Sequence, residues 1–205
     1  MSDKKVDASV RFIEAAVDIF DKYGFEEATF QQISKKCGVS QPALYNHFKN
    51  KMDLLNACAI YSAQLGRIYI DSKADVNIPA KERLISYLKA NLDWFAHNKK
   101  YASTIVAVYY FAGMNQDSKK LFDLLQSTAM ERIRQILNQG VREKSWKLAV
   151  SNGSERLIHS LLVGELYKII YEDDLAKVSE SMQCLMAVVE SVLKTKLFLS
   201  DTQSK

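Results

Sequence analysis

Between Thr29 and Lys51 the chain offers cations and hydrogen-bond donors with nothing to neutralise them. Lys35, Lys36, Lys49, Lys51 and His47 lie there with Gln41, Tyr45 and Asn46, and the window holds no acidic residue. The chemistry such a set suits is anion binding of the kind a nucleic acid demands. Ammonium groups neutralise phosphates, and a side-chain amide bonds bidentately to adenine. Catalysis finds no support. His47, His97 and His159 are far apart, and Cys37, Cys58 and Cys184 are odd in number with no paired spacing. No phosphate-cradling Gly loop or nucleophile elbow is present. The expectation is a binding protein that is not an enzyme and uses neither metal nor cofactor.

A lysine-rich run by itself is often only a solvated face. Here the same window carries helix punctuation. Thr29-Phe30-Gln31-Gln32 has the form of a capping box, and Gly38 supplies the left-handed stop after a short helix through Cys37. Ser40 is placed to cap a third helix with Pro42 in its first turn, continuing to Phe48. Lys49-Asn50-Lys51 then breaks it. Two short helices joined by Cys37-Gly38-Val39-Ser40 make a helix-turn-helix, with Ile33, Val39 and Leu44 turned inward. Gln41, Pro42, Ala43, Tyr45 and Asn46 are left on the outer face, which is the face a helix presents to the major groove.

The elements around this head are helical too. Val10, Ile13, Val17 and Phe20 recur at helical spacing, with Asp7 or Ser9 as the expected cap and Gly24 as the stop. A fourth helix is expected from Lys51 through Leu65, then a boundary at Ile70–Pro79. Further helices are expected at 79–97, 99–114, 117–145, 153–171 and 174–198. Seven Gly and two Pro in 205 residues disfavour a β fold rich in turns. The predicted class is all-α, with about nine helices. A polar N-terminus and no apolar run long enough for a bilayer predict a cytoplasmic protein with no membrane partner.

The run Ala15-Ala16, Phe20, Tyr23-Gly24, Thr29, Ile33, Gly38-Val39-Ser40, Leu44-Tyr45-Asn46-His47-Phe48-Lys49-Asn50-Lys51 and Leu54 resembles the N-terminal signature of the TetR family of transcriptional regulators. The resemblance covers nearly the first quarter of the chain. It implies a DNA-binding domain over 1–50, built as a three-helix helix-turn-helix, and a helical ligand-binding and dimerisation domain over 51–205. It assigns phosphate contacts to Thr29, Tyr45, His47 and Lys51. Gln41 becomes the base reader, with Pro42 and Ala43 offering apolar contact. Ser40, Asn46 and Lys49 complete the DNA-facing set. Ala43 lacks the hydroxyl of the Thr found in the family's namesake, so that protein's operator preference does not transfer. Cys37 stands where the family usually has Ala and reads as a compact core residue.

Beyond residue 75 the resemblance fades. The 153–171 and 174–198 segments are apolar around most of their circumference, which demands cover on more than one side. Pairing with a second copy would supply it, as in the resembled family; an intramolecular core is the alternative. Large side chains cluster on the middle helices, where the family places a ligand cavity. Asn91, Trp94, Phe95, Tyr109, Tyr110, Met114, Phe122 and Glu165 are the expected ligand contacts, with His97 as a further polar handle. The implied function is a ligand-responsive regulator, a repressor binding double-stranded DNA at a palindromic operator as a homodimer, released by a small apolar or amphipathic effector. The alternative is a DNA-binding interaction protein that works through a protein partner and needs no effector.

Overall fold

The computed structural model describes residues 2–146, 153–172 and 177–194, with side chains from residue 8 onward. Among the described residues there are nine helices and no strand, as expected: α1 (Ser2–Glu27), α2 (Phe30–Cys37), α3 (Gln41–Tyr45), α4 (Lys51–Lys73), α5 (Ala80–His97), α6 (Lys99–Phe111), α7 (Gln116–Arg142), α8 (Ser154–Tyr171) and α9 (Lys177–Leu193).

Several boundaries differ from the sequence reading. Helix α1 begins at Ser2, so Asp7 and Ser9 are interior residues rather than caps; nothing in Asp3–Val6 breaks a helix. Gly24 does interrupt it, at φ 75° and ψ 168°. Helix α3 ends at Tyr45, short of Phe48, because the chain turns into a second capping arrangement. Asn50 Oδ1 accepts from the Asp53 N–H at 2.8 Å, and Asp53 Oδ2 accepts from the Lys49 N–H at 3.0 Å. These two bonds start α4. That helix then runs eight residues past Leu65, since Ile70 prolongs its apolar face into a buried core. The expected boundary therefore shrinks to the loop at 74–79. Helix α6 stops at Phe111 because Asn115 Oδ1 takes the Asp117 and Ser118 N–H groups and opens α7. Lys144, at φ 56°, follows the end of α7 at Arg142. The expected ends of the last helix at 174 and 198 lie outside the described residues.

Packing divides the chain into two compact units: Met1–Leu65 with Asn98–Leu125, and Gly66–His97 with Gln126–Lys205. In the first, Phe12, Val17, Phe20, Ile33, Leu44, Leu54 and Cys58 form a dry centre. Polar ties join its helices. The Tyr61 and Tyr101 hydroxyls donate to the two oxygens of Glu14 at 2.7 and 2.6 Å, and Lys36 and Lys100 converge on Asp18. In the second, α5 and α7 pack with α8 and α9 through Leu84, Leu88, Ile133, Leu137, Ile158, Leu162, Leu185 and Val189. Burying one such side chain stabilises by roughly 1.5–3 kcal/mol, so α8 and α9 each spend one face on this intramolecular core.

Candidate nucleic-acid interface

The reading head is assembled from short-range bonds. Thr29 has an extended backbone, its Oγ1 accepts from the Gln32 N–H at 3.2 Å, and Gln32 Oε1 accepts from the Thr29 N–H at 2.7 Å. The expected capping box is therefore formed. At the other end of α2, Gly38 sits at φ 67° and ψ 32°, a left-handed conformation that a side chain would strain. Its N–H bonds the Lys35 carbonyl, and the Val39 N–H bonds that of Ser34. Ile33 and Leu44, both fully buried, lock α2 to α3.

That clamp leaves the predicted set exposed. Thr29, Ser40, Gln41, Pro42, Tyr45, Asn46 and Lys49 all face solvent, while Ala43, His47 and Lys51 are half-buried. Ser40 has the extended backbone of a cap, but its side chain makes no capping bond. Tyr45 is 52% exposed, with its ring propped on Phe30 at 4.6 Å between centroids. Its hydroxyl has no partner among the described residues, so the tip of a braced side chain is available as a donor. The His47 ring stands edge-on to Phe12, with Nδ1 3.1 Å from Ser9 Oγ. That contact occupies one ring nitrogen and directs Nε2 elsewhere.

Lys51 is more committed than its type suggests. Its Nζ donates to the Glu26 carbonyl at 2.8 Å and lies 4.6 Å above the Phe25 ring. An ammonium carries three donors, so two remain. The other cations divide. Lys36 is paired with Asp18 at 3.0 Å, whereas Lys35 and Lys49 make no ion pair among the described residues. Arg11, overlooked in the sequence, belongs with them. It lies on α1, and its Nη2 donates to the Cys37 carbonyl at 3.3 Å, beside the turn between α2 and α3. No local spacing signals it, because the approach joins residues 26 apart. Burial pushes the Cys37 thiol up, which suits the packing role expected of it and not a reactive thiolate.

The residues expected to hold a ligand are parcelled out by the packing units. Asn91, Trp94, Phe95 and Glu165 belong to the second, and Tyr109, Tyr110, Met114 and Phe122 to the first. Asn91 is buried, and its amide donates to the Tyr87 carbonyl of its own helix at 2.8 Å. Trp94 and Phe95 meet edge-to-face, as do Tyr109 and Phe122. Tyr110 and Met114 are 70% and 66% exposed. Glu165 is half-buried, with Oε2 unpartnered among the described residues. His97 Nδ1 lies 2.8 Å from the Asp93 carbonyl on its own helix. Among the described residues no group of three or more His, Cys, Asp or Glu is placed to hold a metal ion, and no helix is long and apolar enough to cross a membrane.

Residues 12–58 match the family described as bacterial regulatory proteins, tetR family. The helix-turn-helix transcriptional regulator YerO of Bacillus subtilis is 31% identical over 124 residues, a span of 60% of this chain and 41% of that protein. A TetR transcription regulator from Haloarcula marismortui has a similar fold at a TM-score of 0.77 and 18% identity, covering 94% of this chain and all of that one. FadR from Bacillus subtilis, a transcriptional regulator solved in complex with stearoyl-CoA, is similar at a TM-score of 0.67 and 19% identity, over 86% of this chain and 96% of that one.

Proposed function

We propose that this chain, whose residues 12–58 match the tetR family of bacterial regulatory proteins, acts as a TetR-family transcriptional regulator, a ligand-responsive repressor bound as a homodimer to a palindromic operator. Residues 1–50 read DNA; residues 51–205 bind the effector and the second copy. The observation that carries this reading is the exposed Gln41–Tyr45 face, held rigid by the buried Ile33–Leu44 clamp and the Gly38 turn. Gln41 contacts a base, and Pro42 and Ala43 meet apolar groups such as a thymine methyl. Ser40 and Asn46 border them. Thr29, Tyr45, His47, Lys49 and Lys51 hold the backbone on either side, fixing register without reading sequence.

The dimer is supported by what α8 and α9 leave uncovered after forming their own core. Leu157 and Tyr171 are 47% and 76% exposed, and the small residues Gly164, Cys184 and Ala187 are exposed with them. A dimer that reads a palindromic operator needs its two recognition helices roughly 34 Å apart, one turn of duplex. An effector that binds better to a dimer of a different spacing would release the operator, because a ligand shifts an equilibrium only through differential affinity. The stearoyl-CoA complex of FadR supports an amphipathic effector.

Selection of genomic fragments by the purified protein tests this, with Tyr45→Ala and Gln41→Ala alongside. One palindromic motif is expected, weakened uniformly in Tyr45→Ala and relaxed at one base position in Gln41→Ala. Recovery of fragments with no shared motif, or binding that requires a second protein, would transfer the role to a partner-dependent mechanism.

A further inference from the structure

The second packing unit holds a cavity of about 250 Å³ between the end of α4, α5 and α7. It is lined by Ala74, Val76, Tyr87 and Ile136 on its apolar side, and by Arg83, Arg132, Asp71 and Asp75 on its polar side. A shallower recess of about 740 Å³ shares Asp71, Val76, Arg83 and Arg132 with it and adds Arg67, Glu131 and Arg134. The first volume lies just below the usual small-molecule range of about 300–1,000 Å³, and the second extends it outward.

Four guanidinium groups surround this space, and three of them make direct ion pairs. Arg132 donates to Asp71, whose other oxygen faces Arg67 at 3.4 Å. Arg134 bonds Glu131 and Glu155, each at 2.9 Å. Arg83 has no carboxylate within ion-pair distance among the described residues. Asp75, the other acid lining the cavity, has Oδ1 occupied by the backbone and side-chain N–H groups of Asn77. Arg83 Nη1 donates instead to the neutral Gln139 Oε1 at 2.8 Å, and its Nε is buried with no partner. Gln139 cannot turn away, because its amide nitrogen is fixed on the Ile78 carbonyl and on Glu143 Oε1. The Arg132 guanidinium, stacked over the Tyr87 ring at 5.4 Å, lies on the same wall. Burial first, and the Arg132 charge second, push Arg83 down from its ordinary value, against the opposing influence of Asp71 and Asp75. Arginine nevertheless does not deprotonate in proteins, so Arg83 stays charged with no carboxylate in direct contact.

A half-buried, prepositioned cation with a spare donor, set beside an apolar hollow, is half of a binding site. We infer that this cavity binds a small organic monoanion, a carboxylate or a phosphate monoester with a compact apolar body, whose charged end pairs with Arg83. Arg132 borders the charged end, while Tyr87, Ile136 and Val76 cover the apolar body. The inference deepens the effector reading given above by assigning the effector a charge and a place, and it rests on that reading only for the consequence of binding. None of the eight residues expected from sequence to touch a ligand lines this cavity.

The test is calorimetric titration of the full chain with hexanoate, hexyl phosphate and hexanol, alongside thermal melting, for wild type, Arg83→Gln and Arg83→Lys. One or both anions bind wild type at least tenfold more tightly than hexanol, and whichever binds identifies the charged group. Arg83→Gln lowers that affinity at least tenfold while melting, without ligand, at or above the wild-type temperature. Arg83→Lys keeps the charge but not the fork, and falls between. Equal affinity for hexanol, unchanged binding in Arg83→Gln, or a lower melting temperature of unliganded Arg83→Gln would each overturn the inference. Duplex binding is measured on the same samples without anion. A protein that binds duplex but no anion loses this site and keeps the regulator reading; one that binds the anion but no duplex does the reverse.

Discussion

Replacing Lys51 by Met separates two roles that one side chain holds together. The Nζ bond to the Glu26 carbonyl and the position over Phe25 tie the start of α4 to the end of α1. A hydrogen bond from a charged donor contributes about 1.5–3 kcal/mol, but Lys51 is half-exposed, so the low end applies. The contact with the ring adds about 0.5–1 kcal/mol, and Met retains much of the stem's packing. The expected loss is thus about 1.5–2 kcal/mol, or roughly 3–8 °C in melting temperature for a chain of this size. If the two remaining donors hold a phosphate, DNA binding changes in a distinct way. The slope of log K against log salt falls by about 0.9 for each protomer that loses its contact. Operator titrations at several salt concentrations read the slope, and calorimetric melting reads the fold. A lower melting temperature with an unchanged slope would refute the phosphate contact and leave Lys51 as a brace. An unchanged melting temperature would refute the brace.

Three further outcomes follow from particular contacts. Gly140→Ala should gain about 1 kcal/mol of helix propensity, yet its Cβ would collide with the Trp146 indole, whose Nε1 donates to the Leu137 carbonyl at 2.8 Å. Displacing that ring forfeits up to about 3 kcal/mol, so the variant should melt lower with red-shifted Trp fluorescence; a higher melting temperature would contradict the packing. Burial pushes the His159 imidazole below its ordinary 6.5, so its contribution to stability is complete above pH 6.5 and is lost as pH falls through the lowered value. Melting curves of His159→Leu should lack that part of the acid decline, and an identical pH profile would remove His159 as its source. The Glu14 carboxylate, helped by burial, pushes the Tyr61 hydroxyl up to about 12. Stability from this bond should hold below pH 10 and fade between 10 and 12, a decline that denaturant titration should find absent in Tyr61→Phe.

The reading head was legible because its causes are local. Thr29 and Gln32 are three residues apart, Gly38 acts on its own backbone, and Ile33 and Leu44 meet across a single turn. The α-helical class followed similarly from periodicity within each segment. What the sequence could not convey were contacts whose partners are distant along the chain. Arg11 reaches the α2–α3 turn from 26 residues away, and Arg132 meets Asp71 across 61. Boundaries slipped where a polar residue had two plausible uses: Asn50 reads as a break but caps α4, and Ser9 reads as a cap but approaches His47.

The expected ligand residues show the same limit from the other side. Large aromatic side chains on the middle helices suit a pocket by type, and type alone says nothing of which helix face they share. Tyr110 and Met114 face solvent, and the Asn91 amide is satisfied by its own helix. The cavity that the fold does build is marked by a guanidinium with a buried, unpartnered Nε and no direct ion pair among the described residues, a property of neighbours and not of sequence. Arg67, Arg132 and Arg134 are as cationic as Arg83, and only the placement of Asp71, Glu131 and Glu155 leaves one of the four guanidinium groups without a direct ion pair among the described residues. Such an imbalance is costly to maintain in a folded chain, and a ligand that removes it would add its own binding energy to the stability of the conformation that holds it. A ligand of that kind has the thermodynamic property an effector needs, because its affinity depends on how α4, α5 and α7 are arranged around Arg83.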